Sequence, residues 1–412
     1  MADDLKIPHT FNPNVREEVS DQQREWLDIL DRELHRLWGL GRNLILVWAA
    51  KGAGMEVLVI PHYSINDFDR QSRDEAEAAG SSALGLKPVN FMEEVIANPK
   101  QVTPGGLAHL SALTGYDPVE IKLPYVPGTD LSPEAIETVV QRYSISYVED
   151  RAVALFDIVG FSLFTPLEQV TQLNSLSYSV NSAYSKMLSR NLDISFARTT
   201  TGDGYYIWNR DRSVQANVNL YHFMHLVLAD NAIARAKSTP NTTPLLRACF
   251  HMGGHYEFYQ SEGLNPTVYS YIVGDVTIEL ARMIDRALPG QILVGEFDAP
   301  MPDRNTGRAQ RIDTVAFIDR TQATLSNFEG LELSGDSIKD IKCYLTGAPR
   351  DGAADDQESF AIKRYAIADK HGFTRDVYNA KVNIYRADAE PIFLGVQTSD
   401  LEGFKYDREE FV

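Results

Sequence analysis

Hydrophobic residues follow two different periods along the chain, and the changes of period mark the predicted elements. From residue 15 to 40 apolar side chains recur every three or four positions before two glycines, which predicts one long amphipathic helix. Apolar runs at 44–50 and 56–60, separated by KGAG, predict two strands. The polar stretch 64–82 predicts a loop. The Pro- and Gly-rich stretch 99–130 predicts a linker, followed by a helix that begins in SPEAIETVVQRY.

Between residues 152 and 345 predicted strands and helices alternate. AVALFDIVGF has the pattern of a buried strand that runs into a glycine turn, and Thr165, Pro166 and Glu168 have the capping-box pattern of a helix start. Two strands around TTTGDG, a long helix, the strand LLRACFHMGG, a helix at 276–287 and the strand QILVGEF follow. The order β-α-β-β-α-β, with a later strand, predicts a ferredoxin-like α+β fold.

These patterns divide the chain into four predicted segments. Residues 1–130 form an N-terminal α/β region of unknown role, 147–346 the βαββαβ domain, 347–359 an acidic linker and 360–412 a small β-rich C-terminal module. The linker prediction rests on RDGAADDQES, which is acidic and poor in apolar residues. A chain of this length is expected to hold two or three domains, each with its own core.

Charge and cysteine content limit which binding partners and which cellular compartment are expected for the protein. The 412 residues include 39 Lys and Arg against 57 Asp and Glu, a net charge of −18, which disfavours nucleic acid and anionic membranes as partners. Cys249 and Cys343 are too few for a disulfide framework, and the longest apolar runs are shorter than the ~20 residues of a membrane span. We therefore expect a cytoplasmic protein with no nucleic acid or membrane partner.

Two acidic turns carry the candidate chemistry. Asp157 ends the strand in FDIVGFS, Asp203 stands in TTTGDGYY, and a strand–helix–hairpin unit would place the two turns side by side. Converging carboxylates are ligands that Mg²⁺ prefers, and the Gly160 turn at a helix start would direct backbone N–H groups toward an anion. Either aspartate alone is more simply explained as a turn residue, so the prediction rests on the pair.

A third segment, SYIVGDVTIELARMIDRALPGQILV, adds the last motif of the pattern. Together with FDIVGFS and TTTGDGYY it resembles the catalytic domain of class III adenylate and guanylate cyclases, over residues 152–345. The resemblance implies that Asp157, Asp203 and the backbone carbonyl of Ile158 bind two Mg²⁺ or Mn²⁺ ions. One ion would activate the ribose 3′-hydroxyl of a nucleoside triphosphate for attack on the α-phosphorus, and the other would neutralise the leaving pyrophosphate.

The same resemblance implies the remaining contacts of the reaction. Arg282, on the helix after a glycine turn, would stabilise the charge that grows on the α-phosphate. The substrate contacts implied beside it are Gly160, Phe161, Ser162 and Lys339. Lys342 is the alternative to Lys339 as the family's phosphate-binding lysine. Family members form the site between two catalytic domains, so a homodimer with two equivalent interface sites is implied.

Two positions that select the purine in this family depart from its pattern. Purine-specific members have Lys or Glu at the position of Thr199, and Asp or typically Cys at that of Tyr271. Tyr271 would fill the volume of a purine's second ring, while Arg198 and Thr199 could hydrogen-bond a smaller base. The chain thus resembles the pyrimidine cyclases of bacterial Pycsar anti-phage systems. UTP, which would give 3′,5′-cyclic UMP, is the first choice of substrate and CTP the second.

A third position also departs from the pattern of the cyclase family, and this departure leaves other functions possible. Ile278 stands where the family usually has an Asn that orients the ribose, and Thr277 is the neighbouring substitute. An ATP or GTP cyclase, or a catalytically silent homologue that only binds a nucleotide, is the alternative. Residues 365–386 resemble the C-terminal sensor domain fused to anti-phage cyclases. This resemblance favours a defence role, in which the cyclic nucleotide activates a separate effector protein.

Overall fold

A computed structural model of the chain describes residues 19–67, 91–192, 194–261, 268–303, 306–333, 335–350, 359–369 and 372–412. The chain divides into two units, Met1–Val148 with His255–Val273, and Glu149–Gly254 with Gly274–Val412. Three predicted features fall wholly or partly outside the described residues: the start of the first helix at 15–18, much of the loop 64–82 and most of the acidic linker 347–359.

The first unit begins with the predicted helix and two strands, which are confirmed. Its elements in chain order are α1 (Asp21–Trp38), β1 (Asn43–Ala50), β2 (Gly54–Pro61), α2 (Phe91–Ala97), α3 (Pro104–Thr114), β3 (Val119–Lys122) and α4 (Pro133–Val140). The strands pair antiparallel in the order β1-β2-β3. Leu30 and Leu34 of α1 are fully buried and share a core with Trp48 of β1 and with α4.

The stretch 99–130 is not a linker, and the sequence prediction there was wrong. It contains α3 and β3, and Leu107 and Ile121 of these elements are buried. Proline starts the helix instead of interrupting the chain, because it occupies the first turn behind the Thr103 N-cap. The Thr103 hydroxyl oxygen accepts a hydrogen bond from the Gly106 amide at 3.1 Å.

The rest of the chain combines helices with a large mixed sheet, so the predicted α+β class is confirmed. The elements in chain order are β4 (Ile145–Ile158), α5 (Pro166–Ser189), β5 (Phe196–Thr200), β6 (Gly204–Asn209), α6 (Val214–Lys237), β7 (Leu246–Ser261), β8 (Val268–Val273), α7 (Asp275–Arg286), β9 (Ile292–Gly295), β10 (Asp298–Pro302), β11 (Ala309–Asp313), α8 (Thr314–Gln322), β12 (Glu332–Leu333), β13 (Asp336–Leu345), β14 (Gly347–Pro349), β15 (Phe360–Ala368), β16 (Thr374–Arg386), β17 (Ile392–Leu394) and β18 (Arg408–Phe411). Among the described helices, none is long and apolar enough to cross a membrane.

Strands β4 to β7 carry the predicted site. The main path of the sheet runs β12-β13-β16-β9-β7-β4-β6-β5, so β4 lies between β7 and β6. Helix α5 starts where predicted, because Thr165 and Glu168 form a reciprocal capping box, a feature worth about 1 kcal/mol. Phe156 of β4 and Leu176 of α5 are fully buried in the core beneath this part of the sheet.

Strands that follow the acidic linker join the same sheet. β16 pairs antiparallel with β9 on one side and with β13 on the other, and β15 and β17 also pair with it. Val377, Ala380 and Val382 of β16 are fully buried. The existence of 360–412 as a module of its own stays a prediction.

Two histidines of α6 are buried in the second unit. His222 and His225 are 2% and 0% exposed. Burial lowers the pKa of His222 to about 4, although a ring nitrogen lies 3.2 Å from the Thr321 carbonyl oxygen. Burial, together with the charge of His222, lowers the pKa of His225 well below its usual range. Both rings are therefore neutral at pH 7.

We expect mild acid to destabilise the second unit through these histidines. An unfolded chain protonates histidine near pH 6.5, whereas folded His222 takes up a proton only near pH 4. The contribution to the free energy of unfolding is therefore fully present above about pH 6.5 and is lost as pH falls, by about 3 kcal/mol at pH 4 for His222. Urea unfolding between about pH 7.5 and pH 5 measures this loss.

The test variant is His222→Gln, which removes the buried ring. It is expected to flatten the pH dependence of stability even if it lowers stability at every pH. A pH dependence equal to that of the wild type would contradict the assignment.

Candidate active site

Asp157 and Asp203 lie at neighbouring strand ends in the second unit. Asp157 is the next-to-last residue of β4, and it pairs with Gly204, the first residue of β6. The Ile158 amide donates a hydrogen bond to the Asp203 carbonyl oxygen at 3.0 Å, which ties the strand end to the hairpin turn. The structure thus brings together the residues that were predicted from the two acidic turns.

This close approach of β4 and β6 requires glycine at position 204. A β-carbon there would lie 1.9 Å from the Phe156 carbonyl oxygen, which excludes every other residue without a backbone shift. The threonines of TTTGDG hold the turn itself. The Thr200 hydroxyl oxygen accepts from the Gly202 amide at 3.0 Å, and the Thr201 hydroxyl donates to Asp203 Oδ1 at 3.3 Å.

The environment of Asp157 penalises two negative charges. Its side chain is 9% exposed. Burial raises the pKa of Asp157, and the adjacent Asp203 carboxylate raises it further, whereas the positive charge and hydrogen bond of Arg247 act in the opposite direction. Two carboxylates in a desolvated place favour binding of a cation.

Arg247 is a site residue that the sequence analysis missed. It is the second residue of β7, and its Nε donates to Asp157 Oδ2 at 2.7 Å. Its Nη1 donates to the Ala287 carbonyl oxygen at 3.0 Å, which fixes the guanidinium. An arginine inside the apolar strand LLRACF was the signal that could have revealed it, because a charge in such a strand needs a partner.

The glycine turn after β4 borders the two carboxylates. Gly160 has a φ of +70°, a left-handed conformation that favours glycine, and a short 3₁₀ helix (Phe161–Leu163) follows. The amides of Phe161 and Ser162 donate to no acceptor within the described part of the chain. Such unpaired amides at a helical turn are donors suited to an anion. The predicted substrate contacts at Gly160, Phe161 and Ser162 therefore adjoin Asp157.

Helix α7 carries Thr277, Ile278 and Arg282. The Thr277 carbonyl oxygen accepts from the Tyr206 hydroxyl at 3.1 Å, which joins α7 to β6. Ile278 is 49% exposed. Arg282 faces acidic residues of its own chain: its Nε lies 3.6 Å from Asp369 Oδ2, and its Nη1 lies 4.0 Å from Asp285 Oδ2.

The three residues predicted to contact the base lie in two different units. Arg198 and Thr199 are on β5, and the exposed Arg198 side chain donates through Nη1 to the Ser177 hydroxyl at 3.1 Å. Tyr271 lies on β8 in the first unit, where its ring stacks on Phe258 with centroids 5.8 Å apart. The base contacts stay a prediction.

Lys339 is not brought next to Asp157 within one chain. It is exposed, at an irregular position of β13 between Ile338 and Asp340. Strands β16, β9 and β7 lie between β13 and β4. At about 4.8 Å per strand this is roughly 19 Å across the sheet. Its contact with substrate stays a prediction, which within the dimer hypothesis involves a second copy of the chain.

The donor set fits Mg²⁺ or Mn²⁺. Two carboxylates and a strand-end carbonyl are hard oxygen ligands, and Mg²⁺ is commonly held by one or two carboxylates together with substrate phosphates. Within the described residues no three His, Cys, Asp or Glu side chains form a cluster that could hold a metal alone. Backbone and phosphate oxygens would therefore complete the coordination beside Asp157 and Asp203.

A cavity of about 870 Å³ lies elsewhere in the second unit. Val159, Gln172, Asn231 and Leu245 are among the residues that line it, whereas Asp157 and Asp203 are not. It is therefore not the site predicted from the two acidic turns.

Comparisons with known proteins find similarity only at the level of structure. No protein-family model matches the chain, and no curated protein matches its sequence. The structure is similar to the guanylate cyclase domain of RhGC from Catenaria anguillulae, solved with GTP, at 14% identity and a TM-score of 0.29, over 41% of this chain and 97% of that one. The structure is also similar to the adenylyl cyclase CyaB from P. aeruginosa, at 13% identity and a TM-score of 0.27, over 41% of this chain and 94% of that one. Its similarity to a bacterial light-regulated adenylyl cyclase has 14% identity and a TM-score of 0.29, over 43% of this chain and 99% of that one.

Proposed function

We propose that this chain is a metal-dependent nucleotide cyclase whose catalytic domain spans residues 147–346. The observation that carries the proposal is the convergence of Asp157 and Asp203, beside the unpaired amides of the Gly160 turn. The strand order β7-β4-β6-β5, with α5 and α6 between consecutive strands of the chain, supports the ferredoxin-like arrangement. A metal-bound triphosphate is the ligand that matches paired carboxylates and anion-binding amides in one place.

Each group of the site has a role in this proposal. Asp157 and Asp203, with the Ile158 carbonyl, hold Mg²⁺ or Mn²⁺, two ions per site. When bound, these ions lower the pKa of the ribose 3′-hydroxyl and neutralise the triphosphate. The Phe161 and Ser162 amides donate to phosphate oxygens, and Arg282 donates to the α-phosphate as its charge grows.

Arg247 and a divalent cation would both be attracted to the Asp157 carboxylate. The Arg247 guanidinium is bound to Asp157 Oδ2 at 2.7 Å. A divalent ion carries twice the charge, so its attraction for the carboxylate pair is stronger at equal distance. Arg247 thus stabilises the paired carboxylates before the metal arrives and keeps Asp157 oriented toward the turn.

We propose UTP as the substrate, CTP as the second choice, and 3′,5′-cyclic UMP as a second messenger of bacterial anti-phage defence in the cytoplasm. The support is the departure of Thr199 and Tyr271 from both purine patterns. Arg198 is exposed on β5 beside Thr199 and has donors to offer a uracil carbonyl. The cyclic nucleotide would activate a separate effector protein.

A homodimer with sites at its interface belongs to the same proposal. The Gly160 turn is followed by three apolar side chains, Leu163, Leu167 and Val170, which are 87%, 77% and 55% exposed. Clustered exposed apolar residues are typical of protein interfaces. The distance of Lys339 from Asp157 across the sheet also favours a second chain as the source of that contact.

One observation favours a second candidate function. Ile278 places an exposed apolar side chain on α7 where the cyclase family has an amide that orients the ribose. A protein without that amide could bind a nucleotide and signal by conformation, without turnover.

The decisive experiment supplies each of the four ribonucleoside triphosphates with Mn²⁺ and identifies products by mass. We expect cyclic UMP and pyrophosphate. Cyclic AMP or cyclic GMP as the sole product would overturn the pyrimidine assignment. A nucleotide that binds but yields no product with any metal would favour the silent homologue.

Replacing Asp157 with Asn should lower turnover about 100-fold or more and weaken Mn²⁺ binding, because a neutral amide is a poor ligand for a hard cation. Isothermal calorimetry with Mn²⁺ and the rate of pyrophosphate release measure the two effects. Asp150→Asn is the matched control, since Asp150 lies on the same strand and pairs with Arg311. Equal losses in the two variants would refute a metal role for Asp157.

Mixing two variants that each lose most of their activity tests the interface site. An Asp157→Asn chain and an Arg282→Ala chain, co-expressed in equal amounts, form mixed dimers in which one of two sites is intact. Activity of about a quarter of the wild-type value is expected. No recovery, with mixed dimers verified by differential tags, would contradict a site shared between chains.

A further inference from the structure

One face of α7 is bound to residues at the adjoining ends of β15 and β16. Glu279, Arg282 and Arg286 recur at the spacing that places side chains on the same side of a helix. Arg286 Nη2 donates to the Ala368 carbonyl oxygen at 2.6 Å, and Glu279 Oε2 lies 2.5 Å from Arg375 Nε. Arg282 reaches Asp369, so the helix that carries the proposed transition-state arginine is held by C-terminal residues.

Asp369 is anchored without help from Arg282. Its side chain is 3% exposed. Asp369 Oδ1 accepts from the Phe373 amide at 3.1 Å, and Oδ2 accepts from Arg375 Nη1 at 3.0 Å. A buried carboxylate that accepts two such hydrogen bonds has a fixed position.

The buried carboxylate of Asp369 holds the guanidinium of Arg282 at its Nε end, whereas the carboxylate near Nη1, that of Asp285 at 4.0 Å, is 68% exposed. Arg282 Nε is buried and lies 3.6 Å from Asp369 Oδ2, an ion-pair distance that is too long for a hydrogen bond. Its terminal nitrogens donate no hydrogen bond within the described residues and are not buried. Asp369 therefore restrains the base of the guanidinium fork and leaves its two outer nitrogens available to an anion.

We propose that Asp369 is a positioning residue for Arg282, so that turnover depends on this carboxylate next to the end of β15. This inference rests on the proposed cyclase function. Glu279, Asp369, Arg282 and Arg375 form a charge-balanced cluster, and the Asp369 charge lowers the freedom of Arg282 to adopt other rotamers. An arginine already in place loses less entropy when it binds the α-phosphate in the transition state.

The test combines kinetics with a double-mutant cycle. Asp369→Asn keeps the Oδ1 acceptor and removes the charge, and we expect kcat to fall about 10-fold with KM changed less than about 2-fold. In an Arg282→Ala background the same substitution should change kcat less than about 2-fold. Asp285→Asn is the matched control, since this carboxylate also lies near Arg282 but is 68% exposed. It should leave kcat unchanged.

An NMR measurement reports the contact without turnover. The Arg282 Nε–H resonance, assigned by its loss in Arg282→Ala, should be protected from exchange in the wild type and should broaden or vanish in Asp369→Asn. If Asp369→Asn unfolds, Asp369→Glu keeps the charge on a longer side chain and is expected to show an intermediate kcat.

The outcomes separate the two proposals. A wild-type protein that makes no cyclic nucleotide overturns the proposed function and the positioning role with it, while the NMR result still reports the Asp369 contact. Full wild-type activity in Asp369→Asn overturns the positioning role alone. An equal fold-loss of kcat from Asp369→Asn in the wild-type and Arg282→Ala backgrounds assigns Asp369 to folding and also overturns it.

Discussion

The pairing of β4 with β6 is the contact on which the rest of the site depends. At Asp157 and Gly204 the two backbones approach so closely that a single β-carbon would collide with the Phe156 carbonyl oxygen. This contact places the end of β4 against the hairpin turn, and with it one carboxylate against the other. The repulsion between the carboxylates then has to be balanced, which Arg247 does from the neighbouring strand β7. Backbone pairing therefore sets the positions of the two carboxylates, and Arg247 then balances their charge.

Two arginines connect the Asp157 carboxylate and helix α7 to backbone carbonyls of the second unit. Arg247 links Asp157 to the Ala287 carbonyl at the end of α7, and Arg286 links the same helix to Ala368. Both bonds end on backbone carbonyls, so they depend on fold and not on another mobile side chain. Helix α7 is thereby connected both to the carboxylate pair and to the end of β15.

The parts of the fold predicted correctly from the sequence are those set by local pattern. The start of α5 followed from a capping box of adjacent residues, and the neighbouring positions of the two acidic turns followed from glycine turns at strand ends. The roles of Asp157 and Asp203 stay a prediction. The stretch 99–130 was misjudged because proline and glycine mark both turns and helix starts, and the Thr103 cap decides between them. Arg247 and Asp369 could not be predicted from local pattern, because their partners Asp157 and Arg282 are distant in sequence. Only tertiary packing brings such charges together.

The position of β16 within the sheet determines when the sheet can close during synthesis of the chain. This strand fills the place between β9 and β13, so the sheet stays open at that point until residues 374–386 have been made. Both aspartates leave the ribosome long before the sheet that supports them can close, so a nascent chain carries the carboxylates without the finished fold. The sheet that holds Asp157 and Asp203 can therefore close only after residue 386 has been synthesised.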